Sequence, residues 1–231
     1  MRKRNLSVRA DNTSYSIDLF FSNKYNEKGG VNILADTRVP IQKRSIEKKQ
    51  KILDAGFELF CKKGYYKTNT IEIAKHAGVS TGAVYSYFKD KREIYIAAFE
   101  DYLDNLSERL FEELEAINPF TLENFVDKWL TSYIELYATS SHALAQLRVM
   151  IIDDSEINHH FSASESNYFT RLVEFLERNG IYKENIIEKI YACCVLVDTL
   201  RQEKSVFSHS ELNFTVFTEQ VKDMILKLLS S

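Results

Sequence analysis

Two prolines and seven glycines in 231 residues leave few places where a helix must stop or the chain must turn sharply. With Leu, Ile, Glu, Lys and Ala abundant, that scarcity points to an all-α chain. Long apolar runs are also missing. None approaches the roughly 18–20 residues that a membrane span needs, so no membrane partner is expected. Cysteine is sparse and oddly placed: Cys61, Cys193 and Cys194. An odd count with two adjacent residues makes neither a disulfide framework nor a metal-ligand spacing, and a reducing cytoplasm fits it best. The basic start MRKRNLS runs into the polar DNTSYS instead of an apolar segment, so it is not read as a secretory signal. His142, His159 and His160 have no carboxylate-rich, correctly spaced partner set. His159 and His160, being adjacent, point to different faces of a helix, and no metal site is expected. No Ser/His/Asp constellation and no glycine-rich phosphate loop stands out. Hence no catalytic residue, no cofactor and no enzyme activity are expected.

What is present begins with a charge asymmetry. The net charge of −3 conceals a basic stretch and an acidic one. Residues 41–100 carry twelve Lys/Arg against seven Asp/Glu, whereas residues 101–231 carry eleven against twenty-two. Ordinary solvated surface would explain this. So would a polyanion that meets only the first segment.

Hydropathy divides the chain in three. Residues 1–42 show no sustained period and are expected to form a flexible or loosely ordered extension. Residues 43–99 read as a small helical domain and residues 100–231 as a larger one. In the first domain, apolar residues from Ile46 to Phe60 recur at helical spacing, with Ser45 as the expected cap and Gly64 as the stop. Thr68-Asn69-Thr70 offers caps for a short helix through Ala77, which Gly78 ends. Ser80 or Thr81 starts a third helix running through Phe88. Asp90, with Glu93 three residues on, starts a fourth that continues to about Ile117. Beyond Asn118-Pro119, helices are predicted from Thr121 through Tyr137 and over about 142–153, 162–179, 184–204 and 210–229. Asp153-Asp154-Ser155 reads as a helix end.

The stretch AGVSTGAVYSYFKDK, residues 77–91, concentrates small polar groups and phenols. Its place between two short helices joined by a glycine turn is helix-turn-helix geometry. Ala74 is small because the partner helix packs close to it. Gly78 supplies a positive φ, and Val79 plugs the corner. Val84 and Phe88, four apart, share the buried face. Thr81, Gly82, Tyr85 and Ser86 then fall on the open side, and Tyr87 and Lys91 sit where phosphates would pass.

Residues 46–99, with the order I-A, G-V-S, G-x-x-Y-x-Y-F and K, resemble the DNA-binding domain of the tetracycline-repressor (TetR) family. The resemblance covers about a quarter of the chain. It implies an all-helical homodimer whose N-terminal helices bind operator DNA and whose C-terminal domain takes a small-molecule inducer. It implies that Thr81, Gly82 and Tyr85 face base edges, while Thr70, Ala83, Ser86, Tyr87 and Lys91 touch or approach phosphates. Ile71 stands where some family members place a polar base-reading side chain. No Arg or Lys lies on the open face of the third helix before Lys89, so thymine methyl contacts and DNA shape are expected to carry much of the specificity.

In the C-terminal domain, Trp129, Tyr133, Tyr137 and Phe169 are candidates to line an apolar ligand pocket, and Arg148 and Asp198 to anchor a polar group in it. Ordinary bundle core also explains each aromatic taken singly, and an inter-helix pair or a surface position explains Arg148 and Asp198. Ile186, Ile187, Ile190, Cys194 and Val197, with Phe214, Phe217, Val221, Ile225 and Leu228, form stripes suited to a dimer interface. The residues Gln42-Lys43-Arg44 are placed to reach DNA ahead of the first helix. The expected function is a ligand-responsive dimeric transcriptional regulator, a repressor released from its operator by a small molecule. The alternative is a DNA-binding module that senses no ligand and acts through protein partners.

Overall fold

Short polar side chains start most of the helices. Asn69, Ser80, Asp90, Thr121, Asp154 and Asn213 each accept a backbone N–H two or three residues ahead, at 2.9–3.2 Å. Each such cap satisfies a donor that the first turn leaves open and contributes about 1 kcal/mol. In a computed structural model that describes residues 39–138 and 141–231, the helices are α1 (Val39–Lys63), α2 (Thr70–His76), α3 (Thr81–Tyr85), α4 (Lys91–Glu115), α5 (Leu122–Ala138), α6 (Ser141–Asp153), α7 (Ser155–Arg178), α8 (Ile186–Gln202) and α9 (Phe214–Ser230). A π-helical turn, Glu203–Phe207, extends α8, and no strand occurs among the described residues. The fold is all-α, as the composition implied.

Two starts differ from the sequence reading. α1 begins at Val39, not Ser45. Proline is tolerated in a first turn, where its missing N–H has no acceptor, and nothing between Pro40 and Ser45 stops the helix. Lys43 and Arg44 therefore lie within α1 and form no separate arm. The extension expected over residues 1–42 falls outside the described residues except for 39–42, which are helical. α7 begins at Ser155, seven residues before the apolar period becomes visible, because Asp154 caps it. The Asp153-Asp154-Ser155 stretch is thus a helix end and a helix start together.

α4 is the spine. Its first half packs on α1 and its second half on α5. An aromatic cluster joins α1 to α4: Phe57 meets Phe99 at 5.1 Å and Tyr102 at 4.1 Å, and Phe60 meets Tyr95 at 5.0 Å. Farther on, Phe125 stacks between Trp129 and Phe175. α8 packs against α5, α7 and α9.

The stripe expected at a dimer interface lies mostly inside the chain. Ile190, Cys194, Val197, Val221 and Ile225 are fully buried among α5, α7, α8 and α9. Periodicity reports that a face is apolar and not which partner covers it. A second apolar row stays exposed: Ile187, Tyr191 and Val195 on α8, at four-residue spacing, with Val216 and Met224 eight apart on α9.

Candidate nucleic-acid interface

Gly64 and Gly78, at φ +82° and +67°, make the two turns that present α2 and α3 on one side. Val84 and Phe88 point inward, at 0% and 3% exposure. Between them Tyr85 and Ser86 are exposed, and Tyr87 is half-buried. Asn69 caps α2 and Ser80 caps α3; of the two cap choices read from sequence for α3, Ser80 takes the role.

The structure brings the expected DNA-facing residues together and ties several to one another. Thr70 and Tyr85 share a hydroxyl–hydroxyl hydrogen bond of 3.0 Å that bridges the first residue of α2 to the end of α3. Tyr85 is 55% exposed despite it. Gly82 is open: a Cβ there would meet no atom within 4 Å. Thr81 is half-exposed and opens α3. Its N–H and that of Gly82 precede the donor taken by the cap and have no intrahelical acceptor. Ala83 is half-exposed on α3. Its N–H donates to Ser80 Oγ at 3.1 Å, so only its methyl is left to approach a phosphate. The Ser86 hydroxyl donates back to the Ala83 carbonyl at 2.6 Å and keeps its lone pairs outward.

Tyr87 and Lys91 are more embedded than their sequence positions implied. The Tyr87 ring is half-buried against the core, and its hydroxyl shares a 3.0 Å hydrogen bond with Ser45 Oγ. Ser45, expected as a helix cap, is instead a mid-helix residue of α1 that holds this phenol. Lys91 donates to the Tyr65 carbonyl at 2.8 Å and the Thr68 carbonyl at 2.9 Å, and lies over the Tyr65 ring at 4.1 Å. Burial lowers its pKa. The buried Thr68 hydroxyl donates onward to the Gly64 carbonyl at 2.9 Å. Lys91 therefore fastens the α1–α2 loop while leaving one of its three N–H donors for an anion. Ile71 and Tyr66, not counted among the site residues, are two-thirds exposed on the same part of the domain. For Ile71 the signal in the sequence was an apolar residue at a position that the helical period leaves outside; Tyr66 lies in the turn between α1 and α2.

A seam of polar contacts joins this domain to the rest. Arg92 pairs with Asp154 at 2.9 Å and Glu156 at 2.6 Å. His142 Nε2 lies 2.6 Å from the Cys61 carbonyl, and His160 Nε2 lies 2.6 Å from Glu100. The hydrogen bond from Glu100 raises the His160 pKa against the opposing effect of burial.

The ligand candidates are packed as core. Trp129, Tyr133 and Tyr137 are wholly buried; Tyr133 and Tyr137 stack at 4.3 Å, and the Trp129 indole N–H donates to the Tyr168 hydroxyl at 3.2 Å. Asp198 is buried with Arg201 at 2.6 Å, accepts from Gln202 at 2.5 Å and lies 3.4 Å from the Tyr133 hydroxyl. Burial, and next the Asp198 charge, push the Tyr133 pKa well up. Phe169 is nearly buried and meets Tyr191 edge-on at 5.6 Å. Arg148 stands apart, half-exposed on α6. None of these six residues lines the four surface clefts bordered by Asp101, His142, Lys128 and Arg171.

Comparison with known proteins bears on this geometry. Residues 52–98 match the family model for bacterial regulatory proteins of the tetR family. Over 73 residues the chain is 36% identical to the fatty acid metabolism regulator protein of Bacillus subtilis (strain 168), covering 32% of this chain and 38% of that one. A longer match, 27% identical over 150 residues, covers 62% of this chain and 77% of the biofilm operon icaADBC negative transcriptional regulator IcaR of Staphylococcus epidermidis. Among solved structures, the fatty acid degradation regulator FadR from Bacillus halodurans superposes with a TM-score of 0.60 at 19% identity, covering 78% of this chain and 94% of that one. At that identity the likeness speaks for the fold. The first of these relatives is matched over little more than a third of its length.

Proposed function

Because this chain belongs to the TetR family of bacterial regulatory proteins, we propose that it is a dimeric transcriptional regulator, a repressor that binds near-palindromic operator DNA and is released by a small molecule. The single observation that carries the DNA reading is the open face of α3. Thr81, Gly82 and Tyr85 stand outward there beside Thr70 and Ile71, on a domain whose net charge is positive. In this reading Tyr85, Thr81 and Ile71 meet base edges and thymine methyls, and Gly82 lets the backbone come close. Ser86, Tyr87, the Ala83 methyl and the remaining N–H of Lys91 meet the phosphate backbone.

The exposed row on α8 and α9 supports a dimer. A second copy that covers Ile187, Tyr191, Val195, Val216 and Met224 removes from water apolar surface that a lone chain leaves exposed. Two copies set two α3 helices against half-sites about 34–36 Å apart, or a multiple of that. The likeness to IcaR, a negative transcriptional regulator, supports the repressor sign.

Ligand entry in this reading requires the packed core around Tyr133, Tyr137 and Asp198 to open, since its aromatic groups are in mutual contact. The same close packing favours the second reading, a DNA-binding module that acts through protein partners. Selection of bound duplexes from a random pool tests the main reading. A two-fold symmetric consensus whose affinity falls steeply with salt is expected. Recovery of unrelated sequences with no symmetric element would count against it. Challenge of the selected duplex with small molecules then separates the two readings.

A further inference from the structure

On the flank of the DNA-binding domain, α1, α2 and the start of α6 enclose a cleft of about 900 Å³. Its floor is apolar, made by Phe57, Leu59 and Cys61, and its rim is charged. The charges do not cancel. Glu58 is paired with His76, and Glu72 with Lys63. Both carboxylates on the rim thus already have a hydrogen-bond partner within it, and the rim's three lysines outnumber its two carboxylates. Lys62 and Lys75 remain, exposed on the rim and engaged in no ion pair among the described residues. Burial pushes the Cys61 thiol up to about 12, so the floor adds no negative charge at neutral pH. His142, the first described side chain of α6, closes the cleft by its contact with the Cys61 carbonyl.

We infer that this cleft is a second ligand site, distinct from the core around Tyr133, and that it takes a small amphipathic anion. The acidic head sits between Lys62 and Lys75 and the apolar body lies along Phe57, Leu59 and Cys61. Charge complementarity selects the head, because two unpaired ammonium groups face a rim whose carboxylates are already satisfied. The apolar floor selects the body, because contact with it removes hydrocarbon from water. The walls give such a ligand leverage. One is α2, which carries Thr70 at its DNA-facing end, and another is α6, which belongs to the C-terminal domain. An occupant touches both and favours whichever relative placement of the two fits it better.

Calorimetric titration of the full chain with octanoate, 1-octanol and inorganic phosphate tests this. Octanoate is expected to bind saturably, with 1-octanol and phosphate each at least about tenfold weaker, because each lacks one half of the recognised pair. Lys62→Glu/Lys75→Glu is expected to weaken octanoate by at least about tenfold, with an unchanged urea midpoint showing that the fold is intact. DNA affinity that shifts with octanoate in the wild type is expected not to shift in the double variant. Absence of saturable octanoate binding, equal binding of 1-octanol, or full affinity in the double variant would each overturn the assignment. All three leave the DNA-binding reading untouched, since neither lysine belongs to the α3 face.

Discussion

Replacing Lys91 with methionine keeps the apolar stem and removes the ammonium. In the wild type that ammonium serves the Tyr65 and Thr68 carbonyls at 2.8 and 2.9 Å and lies 4.1 Å from the Tyr65 ring centre. Hydrogen bonds to a charged group contribute about 1.5–3 kcal/mol each when well buried. This loop is half-exposed, so water replaces part of what is lost and each bond contributes only about 1 kcal/mol. The ring contact adds about 0.5–1 kcal/mol. A loss of about 2–3 kcal/mol follows, read as a lower midpoint in urea unfolding with the slope unchanged. The same variant reports on DNA. If the third N–H meets a phosphate, the slope of log affinity against log salt falls by about 1. A variant within about 0.5 kcal/mol of wild type would refute the claim that this lysine fastens the α1–α2 loop. A variant that loses stability but keeps the full salt slope would make Lys91 a purely structural residue.

Other expectations rest on the domain seam and the buried core. His160 has its folded pKa raised by Glu100 above its ordinary 6.5. Its contribution is therefore fully present below that value and lost as pH rises through the folded pKa, so the stability difference between wild type and His160→Gln should shrink as pH rises from below 6.5 through the raised folded pKa; a constant difference would exclude this linkage. Asp198→Ala leaves the Arg201 guanidinium buried without its carboxylate and should cost about 3–5 kcal/mol in chemical denaturation, whereas a change below about 1 kcal/mol would show that the pair is not closed off from water.

The local part of this fold was legible in the sequence because its causes are local. A serine or asparagine before a helix, a glycine at positive φ and apolar residues four apart each act within one turn, and Asp90, Gly78, Val84 and Phe88 behave as read. The errors lie where the cause is distant. Ser45 meets Tyr87 across 42 residues, and Lys91 meets Tyr65 across 26. No periodicity encodes such meetings, so Ser45 read as a cap and Lys91 as a bare phosphate contact. The α8–α9 stripe divides for another reason: Ile190, Cys194, Val197, Val221 and Ile225 of it are buried within the chain, while Ile187 is exposed. Both faces of those helices are apolar, and a single sequence does not tell which one the chain covers with its own α5 and α7. Asp198 read ambiguously because its partner Arg201 lies only one turn on, a spacing that a surface pair shows equally.

The open face of α3 is tested most directly at Gly82. A side chain there meets nothing in the free protein, and the backbone is ordinary helix. Gly82→Leu should therefore leave the urea midpoint unchanged or raise stability by up to about 1 kcal/mol, since leucine is the better helix former. Affinity for the selected duplex should nevertheless fall by at least about tenfold, because the new side chain occupies the space that the DNA backbone or bases need. Binding within about twofold of wild type, on an equally stable protein, would contradict the placement of this face against DNA.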